Sequence, residues 1–176
     1  MQTTLNSDYR STLKTAGWVL PIAILFPILA HLAPPINGVP VGSYLLPMFY
    51  IPFVALVAYR LPVALIVALL APPLNFLLTG NPQWGLMGIL TIELVLFTLL
   101  AYVLMLQGKI KWIAAPLAYL GAKTISSAFL ILIPLIEVAP FQFFSTSLSN
   151  ATSGILILLV INLLSLKSLP SQEEKD

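Results

Sequence analysis

Long apolar runs separated by short polar or proline-rich breaks dominate the chain. Six such runs can be marked, at about 17–33, 44–59, 62–78, 86–106, 113–136 and 148–166. A helix needs about 20 apolar residues to cross a bilayer, and each run comes close to that length. Segments such as "LPVALIVALLA" and "GILILLVINLLSL" are apolar all round, as helices embedded in lipid are. The alternation of period two that marks barrel strands is absent. The pattern therefore predicts an all-α integral membrane protein with six transmembrane helices. Residues 17–168 form one membrane domain between a polar tail at 1–16 and a second tail at 169–176.

Composition sharpens this picture. Hydrophobic residues make up 59% of the chain and charged residues 8%, against about 25% charged in an ordinary soluble domain. Six spans consume nearly all of the 176 residues, which leaves no room for a soluble catalytic or nucleotide-binding lobe. The first run follows "MQTTLNSDYRSTLKTAGW" and has no small-residue cleavage site after it, so it reads as a retained span. There is no cysteine, hence no disulfide framework and no thiol chemistry.

The charges act as topology signals, and a net +2 gives no reason to expect nucleic acid. Arg10 and Lys14 precede the first run. Arg60 separates the second from the third, Lys109 and Lys111 separate the fourth from the fifth, and Lys167 and Lys175 follow the sixth. The other three connections hold no lysine or arginine. The positive-inside rule places the basic side, with both termini, on the cytoplasmic face of the cell membrane. The connections "PPINGVPVGS", "TGNPQWG" and "EVAPFQFFSTSLSN" are then external, with positions 38 and 143 outside and 60 and 110 inside. Prolines and glycines gather on that outer side, where they stop helices and shape loops. Elaborated loops on a rigid scaffold often carry function.

Polar residues within apolar runs are costly and either pair or face a cavity. Glu93 lies in the fourth run and Lys123 near the middle of the fifth, while His31, Asn75, Asn150 and Glu137 lie at outer ends. With Tyr44, Trp84, Phe141, Phe143 and Phe144 nearby, they suggest a pocket opening outward. Each also has a plainer reading. Glu93 and Lys123 can serve as a purely structural pair, His31 can cap a helix end, the aromatics can form an interfacial belt, and Asn75, after "APP", can satisfy backbone groups freed by prolines. Catalytic motifs are missing. A lone histidine without cysteine gives no zinc ligand set, and neither HExxH nor a P-loop occurs. The serines have no GxSxG context, and the only aspartates are Asp8 and Asp176 in the tails.

Several segments, in order, carry a family likeness. "GSYLLPMFYIPFVALVAYRLPVALIVALLAPPLNFLLTGNP" has a Leu-Pro-Met opening of the second helix, a short basic turn and a third helix ending in a proline-then-glycine pattern. "ILTIELVLFTLLAYVL" holds Glu93, "LAYLGAKTISSAFL" holds Lys123, and "SNATSGILILLVINLL" opens the last helix with small residues and Gly154. In this order the chain, from about 17 to 168, resembles the substrate-binding S components of energy-coupling-factor (ECF) vitamin transporters. The resemblance implies a high-affinity subunit that captures a vitamin or related micronutrient from the outer face. It would do so without enzymatic activity or a cofactor. A transmembrane T component and two ATPases would energise uptake, and the S component would topple in the bilayer. The positions of the polar and aromatic residues give the candidate ligand-contacting set: Glu93, Lys123 and Asn150 nearest the ligand's polar groups, with Asn75, His31, Trp84 and Tyr44, beneath the 34–43 loop.

The chain departs from that family in three places. Phe49 and Tyr50 stand where relatives commonly have histidine, and Lys123 replaces an arginine, losing its planar fork. The first helix lacks the AxxxA docking patch, offering instead Ala16, Ala23 and Ala30 on roughly one face as a candidate surface for the T component. Two other classes stay open: a small non-transport assembly protein, in which the pair is buried with no cavity, and a lipid-modifying enzyme using Glu93 and His31 in a cleft open to headgroups.

Overall fold

The computed structural model describes residues 2–80 and 83–168. Its helices are α1 (Gln2–His31), α2 (Val41–Leu45), α3 (Pro47–Ala58), α4 (Leu61–Thr79), α5 (Trp84–Met105), α6 (Ala114–Leu132), α7 (Pro140–Asn150) and α8 (Thr152–Ser168). A 3-10 turn at Ile110–Ile113 leads into α6. Among the described residues there is no strand, only an isolated bridge between Ile36 and Val39. Among the described residues five stretches are long and apolar enough to cross a membrane, with α2 and α3 counted together, or six if the bent pair α7–α8 counts as one.

Four boundaries differ from the sequence expectation, each for a local reason. The helix α1 starts at Gln2, not near 17, because nothing before Gly17 is proline or glycine and an established helix propagates cheaply. The second run is split at Leu46, which takes a left-handed conformation (φ 55°). The following Pro47 disfavours right-handed helix at that residue. The fifth run stays apolar to Ile136, yet α6 ends at Leu132, since Ile133 precedes Pro134 and is extended. Finally, much of the expected loop at 137–150 is helical: Pro140 opens α7. A 61° bend then separates α7 from α8. There the run "SNATSG" is poor in helix formers, and Thr152 Oγ1 donates to the Ser149 carbonyl (3.0 Å). The expected tail at 169–176, with Lys175, lies outside the described residues, as do Asn81 and Pro82 of the 79–85 turn.

Small side chains take a large share of the interior beside aromatic residues such as Phe53 and Phe97, and many large apolar ones face out. Ala55, Ala64, Ala68, Ala71, Ala101, Ala118 and Ala122 are fully buried, while Trp18, Leu77, Leu132 and Leu156 are exposed. In lipid the tails match leucine in polarity, so close backbone approach through small residues drives packing. This corrects the expectation for α1. Ala16 and Ala23 are buried and Ala30 is half-buried, because α1 packs on α3 and α4. The alanine stripe is used inside the chain. The exposed face of α1 is instead Trp18, Ile22, Leu25 and Leu29.

Two contacts define the ends of the bundle. At the end with the basic turns, Asn162 of α8 is fully buried. Its Oδ1 accepts from the Ala115 backbone N–H (3.0 Å), and its Nδ2 donates to the Lys111 and Trp112 carbonyls (2.9 and 3.0 Å). One amide thus satisfies three backbone groups at the start of α6, where helix ends leave such groups unpaired. Replacing Asn162 by leucine is expected to take this partner from the Ala115 N–H and the Trp112 carbonyl, while the Lys111 carbonyl keeps the Ala114 N–H, and to cost about 1–3 kcal/mol, read as a lower unfolding temperature in detergent. At the opposite end Gly154 meets the α2–α3 junction. A Cβ there would lie 2.6 Å from Leu46 Cγ and 2.8 Å from the Tyr44 carbonyl oxygen.

Candidate binding site

Helix ends, the 32–40 segment and α7 surround a cavity of about 880 Å³. It sits at the end of the bundle remote from Arg60 and Lys111, since its walls come from the C-terminal ends of α1 and α4, the N-terminal half of α5, and α7. Five expected residues meet there: His31, Asn75, Glu93, Lys123 and Asn150 all line it. So does half of the 34–43 loop, through Pro35, Pro40, Val41, Gly42 and Ser43.

Glu93 and Lys123 form its most polar feature. Lys123 Nζ lies 2.7 Å from Glu93 Oε1, and both side chains are almost fully buried (7% and 3% exposed). Ser126, one turn along α6 from Lys123, donates to the same oxygen at 2.7 Å. Lys123 Nζ also stands 4.4 Å above the centre of the Phe143 ring, a cation–π contact from α7. Both strong contacts therefore fall on Oε1. No other residue described here bonds the carboxylate, and its second oxygen is not among the buried unpaired atoms.

The remaining walls are mostly apolar and aromatic. Phe49, at the end of the Leu-Pro-Met segment, lines the cavity beside Tyr119. Their rings meet edge to face at 5.1 Å, and Phe49 meets Phe97 in the same way. On α7 the cavity face is Phe143, Thr146, Ser147 and Asn150, a helical stripe. Phe141 points away and is 81% exposed.

The other expected residues fall into supporting positions. Asn75 lines the cavity but also donates to the Ile24 carbonyl of α1 (3.3 Å) and accepts from Thr79 Oγ1 (3.4 Å). It meets the cavity, but its amide does not serve a carbonyl freed by the prolines of "APP"; it ties α4 to the backbone of α1 instead. His31 stands over Gly42 at the rim, where a Cβ would come within 2.6 Å of its Cε1. Tyr44 is half-buried and does not line the cavity; its hydroxyl donates to the Ile36 carbonyl (3.4 Å) and braces the loop. Trp84 is also off the cavity: 68% exposed, it packs on Phe76 with ring centres 4.3 Å apart.

No family model, curated protein or solved structure matches the chain.

Sequence reasoning missed Phe49, Tyr119 and Ser126 as members of the site and Asn162 as a buried anchor. For Ser126 a signal existed, since it is three residues from Lys123 and so on the same helix face. For Asn162 the signal was a lone amide in an apolar helix. For Phe49 the signal was its place directly after the Leu-Pro-Met segment, where the resembling family commonly has histidine; nothing in the sequence marks Tyr119 among so many apolar neighbours. Among the described residues no cluster of histidine, cysteine or carboxylate side chains could hold a metal ion.

Proposed function

We propose that the chain is a membrane-embedded capture subunit, binding a small vitamin-like molecule from the outer face for uptake by an ECF-type transporter. The observation that carries this reading is the cavity itself. Its size falls in the range of small-molecule sites, roughly 300–1,000 Å³, and its walls are mainly apolar with a few convergent polar groups. A buried ion pair without a cavity was the expectation for an assembly protein, so the space beside Glu93 and Lys123 favours ligand binding. The order of the family-like segments supports the transporter class. A T component and two ATPases are the partners that reading requires, and its ligand-binding step needs no enzyme chemistry.

The deciding experiment is to purify the chain in detergent, release bound small molecules by denaturation, and identify them by mass spectrometry. The expected result is one enriched compound that rebinds the pure protein, with uptake into liposomes only after the partner subunits are added. Transport by the chain alone would place it in another class, and absence of any enriched compound would count against capture.

Sidedness has its own test. The chain has no native cysteine, so single-cysteine variants label cleanly. Val138→Cys, in the segment between α6 and α7, is expected to react with an impermeant maleimide from outside the cell. Gly108→Cys, in the turn with Lys109, is expected to react only after permeabilisation. The opposite pattern would put the cavity on the cytoplasmic side and remove the capture role.

A further inference from the structure

Building on the capture reading, we infer that the cavity selects an uncharged molecule presenting an N–H and a C=O side by side on one edge: a lactam, cyclic urea or pyrimidinone ring, or a primary carboxamide. The inference starts from how the ion pair is used. Lys123 and Ser126 both engage Oε1 of Glu93, at 2.7 Å each. Nothing described bonds Oε2, and Glu93 lines the cavity. An ionised carboxylate is an acceptor only, so Oε2 asks for a donor from the ligand. Lys123 lines the cavity too. Its ammonium has three protons, and the bond to Glu93 uses one of them. It asks for an acceptor. Acceptor and donor sit side by side, joined through the 2.7 Å contact, and the matching ligand edge is a donor next to an acceptor.

The charge balance sets the rest. Glu93 and Lys123 cancel each other, Asn75, Thr146, Ser147 and Asn150 are neutral, and His31, also on the wall, stands at the rim over Gly42. A ligand with a net charge would enter this apolar site without a counter-charge, which is costly unless the existing pair breaks. The edge geometry narrows the class further. An ordinary acyclic secondary amide is trans, with its N–H and C=O on opposite sides. Only a ring, or the NH₂ of a primary amide, holds both on one side. Leu46, Phe49, Ile89, Leu90 and Tyr119 then offer apolar and aromatic contact to the body of such a molecule.

Matched probes test this directly. The pure chain in detergent is titrated with quinazolin-4(3H)-one and its 3-methyl derivative, with 1-naphthamide and 1-naphthoate, and with phenylalanine, and binding is followed by ligand-observed NMR. The N–H compound and the carboxamide are expected to bind at least about tenfold more tightly than the methylated and ionised partners, the size expected for a hydrogen bond to a charged group. In Glu93→Gln, Lys123 and Ser126 still want an acceptor at Oε1, so the amide NH₂ turns to the cavity. The preference for N–H is expected to vanish; because loss of the carboxylate charge leaves Lys123 without its counter-ion, the unfolding temperature is expected to fall, and a single cooperative unfolding transition in detergent shows that the variant is still folded. Equal binding of the methylated compound, or tighter binding of naphthoate or phenylalanine, overturns the inference and leaves the capture role standing. If none of the probes binds, the compound released from the purified protein decides: one lacking the edge overturns the inference alone, and finding no compound overturns both.

Discussion

Glu93→Ala is expected to cost the protein about 3–5 kcal/mol, because it strands the Lys123 ammonium in a buried site. Lys123 is 7% exposed and Glu93 3%, so little water is available to take the partner's place. The Phe143 ring, 4.4 Å from Nζ, compensates for only part of the loss, since such contacts contribute up to about 2 kcal/mol even when desolvated. Lys123→Ala should be less severe, as Glu93 keeps the Ser126 hydroxyl. The informative variant combines Glu93→Gln with Lys123→Met. It removes both charges together, keeps an acceptor for Ser126, and fills the lysine volume with an unbranched apolar chain. Replacing a buried pair by groups of similar shape is often near neutral for stability. The double variant is therefore expected to unfold close to the parent temperature in detergent, but to bind ligand at least about tenfold more weakly. Unchanged affinity in a folded double variant would show the pair to be scaffolding, and the site would have to lie elsewhere.

The second large effect is expected at Gly154. Here α8 comes so close to the α2–α3 junction that a Cβ would fall 2.6 Å from Leu46 Cγ, 2.8 Å from the Tyr44 carbonyl oxygen and 2.9 Å from the Leu45 carbonyl carbon. Two of those three atoms are backbone, so no side-chain rotation relieves the contact. The junction is already constrained. Leu46 holds a left-handed conformation, which costs a residue with a Cβ roughly 1–2 kcal/mol. Its N–H bonds the Gly42 carbonyl (3.0 Å) and its own carbonyl accepts from Phe49 (3.1 Å). Gly154→Val must therefore push α8 away or unseat the junction, at a cost of about 1–3 kcal/mol or more. Leu46, Met48 and Phe49 line the cavity, so binding should fall together with stability. Thermal unfolding and ligand titration of Gly154→Ala and Gly154→Val check this, and a graded loss from alanine to valine is the expected outcome. Full binding by the valine variant would mean that the junction does not shape the cavity.

The sequence by itself determined the membrane-like class and the helical architecture. Runs such as the one ending in "APPLNFLLTG" are long enough and apolar enough that few other structures can satisfy their backbone groups in lipid. It also determined which ends of the helices share a side of the bundle, because Arg60, Lys109 and Lys111 fall in alternate connections. The charged cavity residues were legible for the same reason: Glu93 and Lys123 are conspicuous in an apolar background, whereas Thr79, Gln83, Thr146 and Ser147 are not. Tertiary structure decided what those residues touch. Periodicity is silent in helices that are apolar all round, so the inward turn of Ala16 and Ala23 and the cavity position of Tyr119 come only from packing. The α7 helix escaped the sequence reading because "PFQFFSTSLSN" is too polar for a span and rich in serine, yet it folds against α6 and brings Phe143 over Lys123. The use of Oε1 by two donors, which leaves Oε2 without a described partner, depends on the register of α5 against α6. Local sequence sets neither that register nor the shape of the space beside it; the close fit of small side chains between those helices does.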